Sequence, residues 1–298
     1  MKTNKLFLIA ALLGTTLVGC QKVAEIQTPE DPQDNAKTWT LTVKAVKSPQ
    51  TRALELDGKT LNAKWNQGEK VAVYNGGTLL GTLEVTAVAD DGIATLTGEV
   101  SLDGVTTLSL IYPGREDQKW TYLGQGGDAP ALTGGLNQFD YATASVAVAD
   151  LDTTTPSVAV TTHAIEFSNE QSIYCFGFKA SGTALSAAKS ILLSSANGLV
   201  RSRTNTDGNW VSETGIITVT PTVNGAEYYM AVRNENTSND TYTFNVVGSD
   251  DALYTGTKAI PASVLGEMGK YLAARNIVVN KKTFTPETTG EVTDTGVL

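Results

Sequence analysis

Apolar and polar residues alternate over short stretches through most of this chain. Trp39, Leu41, Val43 and Ala45 alternate with Thr38, Thr40, Thr42 and Lys44, the period-two pattern of a strand with one buried face. Residues 70–74, 79–88, 93–100 and 105–112 predict further strands. Asn75-Gly76-Gly77, Asp90-Asp91-Gly92 and Asp103-Gly104 separate them and read as turns. A glycine-rich stretch from Pro113 to Asp140 breaks the rhythm. It reads as a long surface excursion holding Trp120 and Tyr122, with a short helix near Leu136.

A second series of strands is predicted at 158–167, 173–180, 190–195, 216–220, 228–233, 242–247 and 277–280. Asn197-Gly198, Asp207-Gly208 and Asn224-Gly225 punctuate it. The polar run Asp150-Leu151-Asp152-Thr153-Thr154-Thr155-Pro156 between the two series reads as a domain junction. The pattern contains no long amphipathic helix and no short-period repeat. Many short strands with glycine-rich turns predict an all-β chain of two tandem β-sandwich domains, 38–156 and 157–280. Residues 281–298 read as a polar C-terminal tail.

The first residues follow a different rule. Lys2 and Lys5 precede the unbroken apolar run 6–13, and Leu17-Val18-Gly19-Cys20 closes the segment. A positive start, a short apolar centre and a small residue at the cut describe a secretory signal, too short to remain as a membrane span. The last four residues fit a bacterial lipobox, which makes residues 1–19 the signal peptide and Cys20 the lipid acceptor. Acyl chains such as palmitate contribute about 0.8 kcal/mol per buried methylene, so two or three hold a protein on a membrane. Residues 20–37 are polar, with Pro29 and Pro32, and read as a tether.

Charge and cysteine content narrow the possibilities. The formal net charge is −9 at pH 7, and the signal segment carries two lysines and no acid, so its removal makes the remainder more acidic. Phosphate backbones would repel such a chain, which argues against nucleic acid as a partner. Beyond Cys20 only Cys175 remains, so there is no disulfide framework; within its apolar stretch Cys175 reads as a small buried hydrophobe.

Catalytic chemistry finds few partners here. His163 is the single histidine; inside a predicted strand it reads as structural rather than as a base. Asn205-Thr206-Asp207-Gly208-Asn209 resembles the start of a calcium loop, but the twelfth position is Ile216, which has no carboxylate. It reads as a hairpin turn. Asp150 and Asp152 read as solvated linker residues. With no phosphate-binding glycine loop and no nucleophile elbow, the sequence predicts neither an enzyme, nor a metal site, nor a cofactor.

Several features together resemble the fimbrillin (Mfa-like) family of Bacteroidetes lipoproteins, the subunits of type V pili. They are the lipobox ending at Cys20, Thr51-Arg52-Ala53 after the first strand, and Trp65-Asn66-Gln67-Gly68-Glu69-Lys70-Val71-Ala72-Val73-Tyr74. Gln138-Phe139-Asp140-Tyr141-Ala142-Thr143-Ala144, His163, Glu227-Tyr228-Tyr229-Met230-Ala231-Val232-Arg233 and Gly269-Lys270-Tyr271 continue the set. The resemblance implies two transthyretin-like sandwiches and export to a surface-exposed outer-membrane location as a fimbrium. It also implies cleavage by an arginine-specific protease between Arg52 and Ala53. Assembly with other pilus subunits, in a homo- or hetero-polymer that supports adhesion, would follow by donor-strand exchange. The displaced strand would be the one carrying Trp39, Leu41, Val43 and Ala45. The tail fits a donor strand poorly: only Phe284, Val292, Val297 and Leu298 are apolar, and Pro286 and Gly290 interrupt it. An alternative is a surface lipoprotein that never polymerises and binds glycan or protein through Trp120, Tyr122 or Trp210.

Overall fold

The computed structural model describes residues 37–47, 55–57, 60–62, 64–115, 117–129, 135–185, 187–222, 224–266 and 268–283. The signal segment, Cys20, the tether up to residue 36, Arg52 and Ala53, and the tail beyond Thr283 lie outside them. The described residues belong to one compact unit, which is all-β and built of several sheets.

The chain enters as β1 (Thr38–Lys47), followed by the small hairpin β2 (Glu55–Asp57) and β3 (Thr60–Asn62). β4 (Lys70–Asn75), β5 (Thr78–Val88), β6 (Ala94–Ser101) and β7 (Thr107–Tyr112) come next. β8 (Lys119–Thr121), β9 (Ala142–Ala147), β10 (Leu151–Asp152), β11 (Val158–Thr161) and β12 (Ile165–Asn169) complete the first half. The sheet order is β10-β11-β1-β12-β9-β7-β4-β5-β6, and β1 also pairs with β6, so the sheet closes on itself. Alternation places the odd-numbered residues of β1 inside, and Leu41, Val43 and Ala45 are fully buried with Val71, Leu83 and Leu96.

β13 (Ser172–Ala180) begins the second half, followed by β14 (Thr183–Ala184), β15 (Ala188–Ser195), β16 (Leu199–Thr206) and β17 (Asn209–Gly215). β18 (Ile217–Val219), β19 (Tyr228–Val232), β20 (Asp240–Gly248), β21 (Leu253–Ile260), β22 (Tyr271–Val278) and β23 (Asn280–Lys281) follow. One sheet is β14-β13-β19 with β22 alongside β13; the other is β18-β15-β20-β21-β23. Their shared core is aromatic, with Phe176 and Phe178 packed edge-on against Phe244 at 4.7 and 5.2 Å.

Three features depart from the sequence reading. β11 and β12 lie beyond the junction expected at Pro156, yet both pair with β1, so they belong to the first sheet. The change of sheet comes between Asn169 and Ser172; the polar run 150–156 holds β10 and the exposed crossing from it to β11, not a change of core. Second, the stretch 113–140 is not a surface excursion. Trp120, Tyr122, Leu136 and Phe139 are buried in the second core, β8 pairs with β16, and the helix expected near Leu136 is a 3₁₀ turn, Gly135–Phe139. Third, the strand expected at 158–167 is two strands, broken at Thr162-His163-Ala164. β9, β16, β17 and β21 are not legible, because Ser, Thr, Asn, Gly and charged residues interrupt their apolar positions.

One side chain ties the segment after β8 to β19. Gln125, 1% exposed, donates from Nε2 to the carbonyls of Tyr122 and Ala231 and accepts the Ala231 N–H at Oε1, 2.7 Å away. A single side-chain amide thereby substitutes for a strand pairing along β19.

Candidate functional site

β1 is held along both edges. Residues 38–45 run antiparallel to β6, residues 40–42 parallel to β11, and residues 45–47 parallel to β12. Side chains reinforce this at each end: the Lys37 N–H donates to Asp103 Oδ2 at 2.8 Å and the Lys44 N–H to Thr161 Oγ1 at 2.9 Å. One strand therefore closes the sheet and fills its apolar centre with Leu41, Val43 and Ala45. Trp39, the fourth expected residue, is half-buried against the same core. Fully burying a Leu or Val side chain stabilises by about 1.5–3 kcal/mol, so this strand carries a large part of a domain's marginal stability.

The inner face does not end on an apolar residue. Lys47, two positions beyond Ala45 on the same face, is buried, its side chain only 1% exposed. Its Nζ lies 3.1 Å from Glu69 Oε2 and 3.7 Å from Asp140 Oδ2. The rings of Trp65 and Tyr112 face it at 4.3 and 4.5 Å. A buried ammonium is tolerable only with this kind of compensation: opposite charge, hydrogen bonds and aromatic faces. The carboxylate is itself fixed, since Tyr112 Oη donates to Glu69 Oε1 at 2.8 Å and the Asn66 N–H to Oε2 at 3.0 Å. Trp65 is braced edge-on against Tyr112 and Phe167, at 5.4 and 5.2 Å. In the sequence Lys47 begins the polar run leading to Arg52, and nothing local marks it as buried. The available signal was its place in the alternation of 39, 41, 43 and 45.

The other sequence candidates are scattered. His163 is exposed in the break between β11 and β12, its Nδ1 3.1 Å from Thr162 Oγ1. Cys175 is buried, its thiol donates to Glu227 Oε2 at 3.4 Å, and burial pushes its pKa up. Asp207-Gly208 forms the two-residue turn between β16 and β17, both residues at positive φ (50° and 85°). Asp152 is exposed, and hydrogen bonds from the Thr154 N–H and hydroxyl hold its carboxyl below its ordinary value. Among the described residues no group of three or more His, Cys, Asp or Glu could hold a metal ion, and no helix is long and apolar enough to cross a membrane.

Of the three aromatics considered for ligand contact, Trp120 and Tyr122 are buried and unavailable. Burial holds the Tyr122 hydroxyl far above its usual range, so it stays neutral and donates to the Glu170 carbonyl at 3.0 Å. Trp210 stacks on Trp120 at 4.0 Å and lines a polar cleft of about 530 Å³ with Thr143, Ser145, Glu170, Arg203 and Asn205. Three of the charges there are paired with one another: Arg203 and Arg233 both bind Glu170.

No family model matches the chain, and no curated protein matches it. Solved structures similar to it include candidate cell adhesion proteins from Bacteroides uniformis and Bacteroides ovatus. The first is 19% identical with a TM-score of 0.42, covering 81% of this chain and 97% of its own. The second is 14% identical with a TM-score of 0.43, covering 82% and 95%. A fimbrial assembly protein from Parabacteroides distasonis is 10% identical, with a TM-score of 0.38 and coverage of 80% and 90%.

Proposed function

We propose that the chain is a structural, non-catalytic subunit of a cell-surface pilus of the fimbrillin kind. It is exported as a lipoprotein through Cys20 to the outer membrane, cleaved by an arginine-specific protease between Arg52 and Ala53, and assembled by donor-strand exchange that supports adhesion. The observation that carries the reading is the double role of β1. It pairs along both edges and fills the apolar centre of a closed sheet. Taking it out would bare the edges of β6, β11 and β12 together with an apolar groove, all costly in water. A strand from another subunit answers both needs, by main-chain hydrogen bonds and alternate side-chain pockets. The transthyretin-like description of the sandwiches belongs to the same proposal.

N-terminal sequencing of protein extracted from the cell surface tests this directly. Polymer beginning at Ala53 is the expected result. Polymer beginning at Cys20, or normal maturation of Arg52→Ala, would sink the cleavage step. A lone monomer on unboiled gels would favour the non-polymerising binder instead, for which Trp210, beside its cleft, is the accessible one of the three aromatics.

A further inference from the structure

We infer that the groove of β1 selects its occupant by charge: the site around Glu69 and Asp140 is a receptor for a lysine on the incoming strand. This rests on the assembly reading above and adds to it the chemistry of the partner. The groove has an apolar section that receives Leu41, Val43 and Ala45, and an anionic aromatic end that receives Lys47. When β1 leaves, Glu69 and Asp140 lose this ammonium, while Trp65 and Tyr112 keep the walls that receive a cation. A replacement strand with a neutral or acidic residue at that position would fill the apolar section but take the ammonium away from a buried carboxylate, Asp140, and a part-buried one, Glu69. That penalty is of the kind that decides between partners in charged interfaces. The site also fixes register. Sliding the strand by two residues keeps the alternation but removes the ammonium from its carboxylates.

The occupant is therefore a strand of a second chain, with alternating apolar residues and a lysine two positions past a small residue, as Ala45 precedes Lys47. The tail of this chain does not meet the requirement. Asn280 and Lys281 are already paired with β21, Lys281 Nζ reaches Asp250 Oδ2 at 3.2 Å, and the Lys282 N–H donates to the Leu253 carbonyl. Residues 283–298 hold no Lys or Arg, and Glu287, Glu291 and Asp294 would be repelled by Glu69 and Asp140. Residues 281–298 of a second copy are therefore not the complementary strand.

The test uses the full chain cut after Arg52 by an arginine-specific protease and two labelled peptides. One spans residues 38–47; the other is identical except for Lys47→Met. Binding is followed by fluorescence anisotropy. The lysine peptide is expected to bind about thirtyfold more tightly or better, the scale for stranding one partner of a buried charge pair. Glu69→Gln with Asp140→Asn in the cut chain should erase the difference. Equal affinities of the two peptides for the unsubstituted cut chain would overturn the lysine receptor while leaving strand exchange standing. Binding of neither peptide would instead overturn strand exchange, and the receptor with it. A peptide of residues 283–298 that binds as tightly as the lysine peptide would overturn the exclusion of the tail.

Discussion

Gly77 lies against Asp207 backbone to backbone: a Cβ on Gly77 would sit 2.3 Å from the Asp207 Cα. The tip of the β4–β5 hairpin thus touches the tip of the β16–β17 hairpin, and a Cβ on Gly208 would in turn meet Gly76 Cα at 2.8 Å. Contacts of this kind leave no room for a side chain. They join a hairpin of the first sheet to a hairpin of the second half.

Gly77→Ala should therefore cost about 1–3 kcal/mol, the usual range for forcing atoms into a filled space. Urea unfolding followed by tryptophan fluorescence would measure it. A neutral effect would mean the two hairpin tips separate easily.

Leu41→Ala is expected to cost about 2–5 kcal/mol, because it empties a fully buried site at the middle of β1. Thr40→Ala, one residue away on the exposed face, should stay within about 0.5 kcal/mol. The pair isolates side-chain burial from main-chain pairing. Similar costs for both would show that pairing, not the groove, holds the strand.

Asp240 gives the protein an acid limb. Burial alone would raise its carboxyl, but Ser195, Asn234 and the Thr241 N–H donate to it and hold it below its ordinary value. A carboxyl lowered by folding contributes stability above its unfolded value of 3.8, and that contribution is lost as pH falls through the folded value. Asp240→Asn should be less stable than the parent near neutral pH. The gap should close in urea titrations run well below pH 3.8.

Cys20→Ala tests the anchor proposed for the chain. Loss of palmitate label and of partitioning into detergent is the expected result, since acyl chains would supply the membrane affinity. Unchanged partitioning would remove the lipoprotein reading.

The strands β1, β4, β5, β6 and β7 were readable because period two is a property of consecutive residues, and so were their turns. Asp207-Gly208 is a clear instance: two adjacent residues that accept positive φ make a hairpin tip with little help from elsewhere. The 113–140 stretch is not legible for the opposite reason. Its glycines suggested a surface loop, whereas its burial depends on β16 and β19, which lie far along the chain.

The sequence by itself determined an all-β chain, the strand at Trp39, Leu41, Val43 and Ala45 and its buried face, because alternation and turn chemistry are local. Only the tertiary structure decided that this strand closes a sheet and that its last inward residue is a buried lysine. Whether a charge can be buried depends on which groups meet it. Glu69, Asp140, Trp65 and Tyr112 come from three different segments, assembled around Lys47 by the fold.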